Sequence, residues 1–291
     1  MALFIEALQA AICEATGRPF GMPRARRAHG GDISDAQVFD DGERRYFVKR
    51  QPVARRAMFE TEADGLAALG AHVRVPGVVA VGEAGDEAFL VLEALDLHST
   101  GDAAALGEAL ARLHRAPQAA WGWPRDNWIG STPQHNDACG DWVAFWRSRR
   151  LGAQLQRAAE NGLPSALLRD GERLMAALPA FFSGHAPAPS LLHGDLWGGN
   201  HAYLADGSPV LFDPAVYCGD RECDLAMTEL FGGFSADFHA AYRAAWPLDA
   251  GYATRKRLYN LYHILNHANL FGGGYAGQAA NMMQALLAEI H

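Results

Sequence analysis

The run His193-Gly194-Asp195-Leu196-Trp197-Gly198-Gly199-Asn200 has the form H-x-D-x-x-x-x-N, and a strand-like Val210-Leu211-Phe212 then delivers Asp213. Phosphoryl transfer needs a base beside the acceptor hydroxyl and metal ligands beside the phosphates. Asp195 suits the base. Asn200 and Asp213 suit Mg²⁺, which prefers hard oxygen ligands and completes its shell with water and phosphate. Each piece alone is weak, because Asp next to Gly is usually a turn residue. The ordered set is much less common by chance, the more so with a lysine waiting upstream on a strand.

That lysine is Lys49, which closes the alternating run Tyr46-Phe47-Val48-Lys49. On a strand Phe47 and Lys49 share a face. A lone lysine is ordinarily solvated. The following helix, however, carries Phe59, Glu62, Leu66 and Leu69 on one stripe, so Glu62 falls among residues that face the sheet. A carboxylate there calls for a cation, and Lys49 is the economical one. Glu60 competes for the role, but its neighbour one turn on is Asp64, which marks a wetter face. The Lys49–Glu62 pairing resembles the strand lysine and helix glutamate that hold ATP phosphates in protein kinases. Upstream, His29-Gly30-Gly31-Asp32-Ile33-Ser34 is too short for G-x-G-x-x-G and lacks a Walker lysine. Gly30 and Gly31 allow close backbone approach, and Ser34 offers a donor to a phosphate oxygen.

The elements that must position these residues are readable from periodicity. Phe4, Leu8, Ile12 and Ala15 recur at helical spacing near the N-terminus. Tyr46–Lys49, Val78–Val81 and Phe89–Leu92 alternate as strands, with Ala57–Leu69 helical between them. Beyond Ser99 helices dominate, at Ala103–His114, Trp142–Asn161 and Leu167–Leu178, around one β-like island at Leu191–Asp213. Strands followed by helices predict an α+β chain of two lobes, residues 1–95 and 96–291, joined near Leu92–Leu97.

Composition excludes several classes. The 291 residues are 49% hydrophobic and 20% charged, which is enough to bury a sizeable core. A net charge of −8 argues against nucleic-acid or anionic-membrane binding in bulk. The four cysteines are scattered without C-x-x-C spacing, so reduced cytoplasmic thiols are expected. The N-terminus has no basic n-region and does not read as a signal peptide. Leu258–Ala288 lacks charge, but its Asn, His and Gln residues and its three glycines point to two buried helices joined by a turn rather than a bilayer span. A two-metal phosphoesterase would need ligands from several loops, whereas Gly194-Asp195 and Gly199-Asn200-His201 share one. His185, His193 and His201 lack zinc-ligand spacing.

Leu191-Leu-His-Gly-Asp-Leu-Trp-Gly-Gly-Asn200 resembles the signature of the fructosamine/ketosamine-3-kinases. So do the segments from Phe212 to Glu222 and Asp224 to Phe234, Asp126-Asn-Trp-Ile-Gly130, and Leu261 to Phe271. The resemblance implies a bilobal protein-kinase-like fold of the aminoglycoside phosphotransferase type, with a small β-rich and a larger helical lobe. It also implies ATP- and Mg²⁺-dependent phosphorylation of a free or protein-bound ketosamine at its third sugar carbon. By position, Asp195 matches the base, Asn200 and Asp213 the metal ligands, Lys49 and Glu62 the nucleotide pair, and Glu93, Ala94 and Leu95 the hinge that meets adenine. Trp197 beside the base suits stacking on a sugar or amine, or else plugs the loop. Asp220 and Glu222 are candidate carboxylates for a cationic amine. Asp32 stands where many relatives carry cysteine, so no thiol switch is expected in the glycine loop. Another hydroxyl acceptor, such as an aminoglycoside or choline, and a pseudokinase are the alternatives, and the intact site residues weigh against the second.

Overall fold

The structure, a computed structural model, describes residues 2–27 and 35–290. The chain divides into two compact units, Met1–Leu106 with Gly199–Pro214, and Gly107–Gly198 with Ala215–His291.

The first unit opens with helix α1 (Ala2–Thr16). Strands β1 (Arg24–Arg27), β2 (Asp35–Asp40) and β3 (Arg45–Pro52) follow, then helix α2 (Arg56–Gly70) and strands β4 (Val78–Ala84) and β5 (Glu87–Glu93). The five strands form one antiparallel sheet in the order β1-β2-β3-β5-β4. The apolar stripe of α1 covers one face: Phe4, Leu8 and Ile12 are buried with Phe39, Val48, Phe89 and Val91. Burying a side chain such as Leu8 or Ile12 is worth about 1.5–3 kcal/mol over leaving it in water. Val48 points to α1, so its neighbour Lys49 points to the other face, where α2 lies.

Helix α3 (Ala103–His114) runs from the first unit into the second. The second unit continues with the hairpin β6 (Asn127–Ile129) and β7 (Thr132–Gln134). A long helix is capped by Asp141, whose carboxylate accepts from the Ala144 N–H. It runs as α4 (Trp142–Phe145), a widened π-type turn (Trp146–Leu151) and α5 (Gly152–Glu160). Helix α6 (Ser165–Phe181) and strand β8 (Ser190–Leu192) come next. The chain then returns to the first unit for the hairpin β9 (His201–Tyr203) and β10 (Pro209–Leu211). Strand β11 (Tyr217–Gly219), paired with β8, and helices α7 (Glu222–Thr228), α8 (Ala236–Ala245), α9 (Tyr252–Phe271) and α10 (Tyr275–Ala288) complete the second unit. Helix α9 stops at Gly272, whose φ of 65° is left-handed, and α10 follows, as the glycine run predicts. Among the described residues no helix is long and apolar enough to cross a membrane.

Candidate active site

In the first unit, strand register and helix phase deliver a cation between two carboxylates. Lys49 Nζ lies 2.6 Å from Glu62 Oε1 and 2.5 Å from Asp213 Oδ1. Lys49 is almost fully buried. Burial alone would push its pKa down, but Asp213 and Glu62 outweigh burial and hold it above the ordinary lysine value. Glu62 is therefore the partner; Glu60 instead meets Arg56 at the surface, 3.1 Å away. The β9–β10 hairpin carries the two expected metal ligands at its open end. Asn200 immediately precedes β9, and its Nδ2 donates to the Asp213 carbonyl at 3.4 Å, while the Phe212 N–H donates to the Asn200 carbonyl at 3.1 Å. Asp213 is the one non-glycine residue with positive φ among the described residues, at 55°. That conformation costs an L-residue roughly 1–2 kcal/mol, and such strain concentrates at functional sites. Asn200 and Asp213 offer an amide oxygen and a carboxylate, a donor set that suits Mg²⁺.

In the second unit the loop bearing Asp195 is fixed through its backbone. The His193 and Gly194 N–H groups donate to the Asp224 carboxylate at 2.7 and 2.9 Å. Asp224 is itself buried on α7 and meets His114 Nε2 at 3.1 Å, while His114 Nδ1 meets the Tyr242 hydroxyl at 2.9 Å. Burial opposes ionisation of Asp224, but His114, His193 and the Gly194 N–H outweigh it and hold the carboxyl below its usual range. On the other side the Ala215 N–H donates to the His193 carbonyl at 2.8 Å. Gly194 has φ of 82°, and a Cβ there would fall on the Ala215 carbonyl oxygen, so only glycine fits. The Asp195 N–H donates to His193 Nδ1 at 3.3 Å, and the Asp195 carbonyl accepts from the Trp197 N–H at 3.1 Å. Asp195 is thereby half-buried and Trp197 is 41% exposed, which removes the reading of Trp197 as a core plug. Asp224 and His114 carry no role in the sequence reading. The one local signal is a carboxylate set in the apolar run Cys223 to Met227.

The remaining candidates are placed differently. Gly30, Gly31 and Ser34, with Asp32, lie outside the described residues. Glu93 ends β5; its carboxylate is gripped by Arg74 at 2.6 and 2.7 Å, and its N–H donates to the Gly77 carbonyl. Ala94 and Leu95 follow it, half-buried.

Asp220 and Glu222 require a correction. Both are buried, at 1% and 0% exposure, with their oxygens spent on internal partners, so neither offers a carboxylate to an amine ligand. Asp220 Oδ2 accepts from the Tyr259 hydroxyl and meets His185 Nε2, while Glu222 takes both Nε and an Nη of Arg255. His185 Nδ1 in turn meets Asp249 Oδ2 at 2.7 Å. Both His185 nitrogens face carboxylates, an arrangement that favours the protonated ring over a metal-binding one, although His185, Asp220 and Glu222 converge closely. Burial would lower the His185 pKa, but Asp220, followed by Glu222, raises it above its ordinary value. The sign follows from linkage: this clamp contributes its full stability below the unfolded histidine pKa of about 6.5 and loses it as pH rises through the higher folded value. Unfolding midpoints measured from pH 6 upward are expected to fall in that window, and His185→Gln is expected to remove that part of the slope. An identical pH slope in the variant would assign the dependence elsewhere.

A β-sheet unit with a buried lysine–carboxylate cluster and a helical unit carrying the Asp195 loop define the protein-kinase-like class. A solved aminoglycoside phosphotransferase, APH(4)-Ia in a thermostable mutant form, shares this fold at TM-score 0.60 and 15% identity, covering 97% of this chain and 98% of its own. The fructosamine kinase family profile matches residues 4–289, and the chain belongs to that family. A Synechocystis sp. protein named "Probable ketoamine kinase" is 43% identical over 281 residues, covering 95% of this chain and 94% of that protein. A solved Haemophilus somnus protein named "Putative fructosamine-3-kinase" superposes at TM-score 0.88 with 30% identity, over 97% of each chain. The chain is a kinase with a hydroxyl acceptor, as its sequence predicts.

Proposed function

We propose that this protein transfers the γ-phosphoryl group of ATP to the O3 hydroxyl of ketosamines, the amine adducts of fructose- or ribulose-type sugars. The observation that carries the reading is the Lys49–Glu62–Asp213 cluster in a chain of the fructosamine kinase family. Residues 1–95 serve the nucleotide, and 96–291 carry the catalytic loop, the metal ligands and the acceptor site. Lys49, positioned by Glu62, holds the ATP phosphates, and the Glu93–Leu95 backbone meets adenine. Asn200 and Asp213 would hold Mg²⁺, which would supply positive charge against the phosphates. Asp195 accepts the proton of the attacking hydroxyl, and no covalent enzyme intermediate is needed. Trp197, exposed beside the base, offers a flat face to the sugar or to its cationic amine. Phosphorylation at O3 destabilises the adduct, so the chemistry amounts to deglycation. The four unpaired cysteines suit a reducing, ATP-supplied compartment such as the cytoplasm.

The test is ADP release over fructosamines, ribulosamines, their parent aldoses, an aminoglycoside and choline, with the phosphate mapped by NMR. Phosphate on O3 of the adduct, with little turnover of the aldose, is the expected result. Efficient turnover of the aminoglycoside or choline, with no ketosamine product above background, overturns the substrate assignment. Trp197→Ala is expected to raise KM for the adduct while leaving KM for ATP near the wild-type value, since stacking acts on the acceptor alone. An equal rise for both substrates would remove Trp197 from the acceptor site.

A further inference from the structure

The β6–β7 hairpin, with its Asp126-Asn-Trp-Ile-Gly130 motif, takes no part in the chemistry assigned so far, yet its inward side chains end at Ala215 and Val216, the segment bonded to the catalytic loop. Gln134 Nε2 donates to the Ala215 carbonyl at 3.0 Å and to Asn127 Oδ1 at 2.9 Å. Asn127 Nδ2 donates to the next carbonyl, that of Val216, at 2.7 Å. Ala215 is the residue whose N–H holds the His193 carbonyl and whose own carbonyl lies against Gly194. It also stands two positions after Asp213 in the chain. Ala215 is thus fixed at both ends, its N–H by the catalytic loop and its carbonyl by the hairpin.

The hairpin is itself locked. Asn136 Nδ2 donates to Asn127 Oδ1 at 2.9 Å, and the Tyr262 hydroxyl donates to Gln134 Oε1 at 2.9 Å. Asn136 Oδ1 and the His135 carbonyl each accept from Arg150 at 2.7 Å. Arg150 is fully buried, and among the described residues no carboxylate lies within ion-pair distance of it. Its charge rests on these oxygens, on the Arg149 carbonyl, and on the Tyr217 and Phe145 rings, 3.9 and 4.7 Å from the guanidinium carbon. The π-type turn Trp146–Leu151 presents it there, and such turns are frequent at functional sites. A buried cation without a counter-ion is an expensive way to hold a surface hairpin. Its fork does reach two successive positions of the hairpin end at once, which a lysine could not do.

We propose that Gln134 and Asn127, locked by Arg150, are positioning residues for phosphoryl transfer: they fix the Ala215–Val216 peptides against His193–Gly194 and so set where Asp195 stands. This rests on Asp195 being the base. Misplacing a catalytic group by about 1 Å can cost on the order of 100-fold in rate. Gln134→Met removes the donors at matched length, and Gln134→Glu does so at matched shape.

Both variants are assayed with ATP and a fructose–amine adduct for kcat and KM, with ATP-binding stoichiometry and Tm alongside and Asp195→Asn as control. The expected result is a kcat lowered about 10–100-fold while KM for ATP stays within about twofold and ATP still binds one to one. A kcat within about twofold of wild type in a folded variant overturns the proposal. So does a fall in kcat matched by lost ATP-binding stoichiometry in both variants, since that is loss of folded protein rather than of position. Should Asp195→Asn itself turn over normally, the base assignment fails instead, and the two failures are distinguishable.

Discussion

Asp195→Asn is expected to lower kcat by about 10²–10⁴-fold, the usual loss on removing a general base, while ATP binding persists. The reason lies in how the loop is held. Its conformation depends on backbone groups: the His193 and Gly194 N–H groups on Asp224, the Ala215 N–H on the His193 carbonyl, and the Asp195 and Trp197 N–H groups within the loop. None of these bonds uses the Asp195 carboxylate. Asparagine keeps the side-chain shape and loses proton acceptance, so the backbone bonds of the loop survive the substitution while the base is lost. ADP release under saturating substrates, together with an ATP titration, reads both quantities. Turnover near wild type would exclude Asp195 as the base.

Asp224 separates the two kinds of loss further. Removing its carboxylate would orphan two buried N–H groups and His114 together, so stability and activity should fall in concert. In Asp195→Asn the backbone bonds of the loop remain, so activity should fall far more than stability. Measured together, the pair distinguishes the residue that acts from the residue that holds.

The site was legible where local periodicity and chemistry coincided. Lys49 and Glu62 could be paired because a two-residue strand repeat and a helical stripe each placed its residue facing inward, and the ion pair at 2.6 Å follows from those two phases. Asn200 and Asp213 were legible because a short hairpin must bring its open ends together. Asp220 and Glu222 were misread for the opposite reason. Acidic residues are assumed to be wet, and the partners that let them be dry, His185, Tyr259 and Arg255, come from elsewhere in the chain. Helix α7 was invisible because all seven of its residues are buried, so no polar face alternates with an apolar one. The widened turn at Trp146–Leu151 was likewise hidden inside a run that reads as one continuous helix from Trp142 to Asn161.

Asp213 carries the second large effect, and there activity and stability should part company. Its carboxylate is an expected Mg²⁺ ligand, so both Asp213→Ala and Asp213→Gly are expected to abolish Mg²⁺-dependent turnover. The backbone distinguishes them. With φ of 55°, position 213 suits glycine and strains alanine, which lacks even the short polar side chain that helps aspartate tolerate this region. In both variants Lys49 keeps Glu62 as its counter-ion, so removing one of two carboxylates around a single ammonium does not leave a buried charge alone. Asp213→Gly should therefore be more stable than Asp213→Ala by roughly 1–2 kcal/mol, the cost of the left-handed conformation for an L-residue, offset in part by glycine's greater freedom when unfolded. Denaturant unfolding of the two variants beside wild type gives the difference, and ADP release gives the activity. Equal stability of the two would mean the strain at 213 is not present in solution. Residual Mg²⁺-dependent turnover in either would remove Asp213 from the metal site.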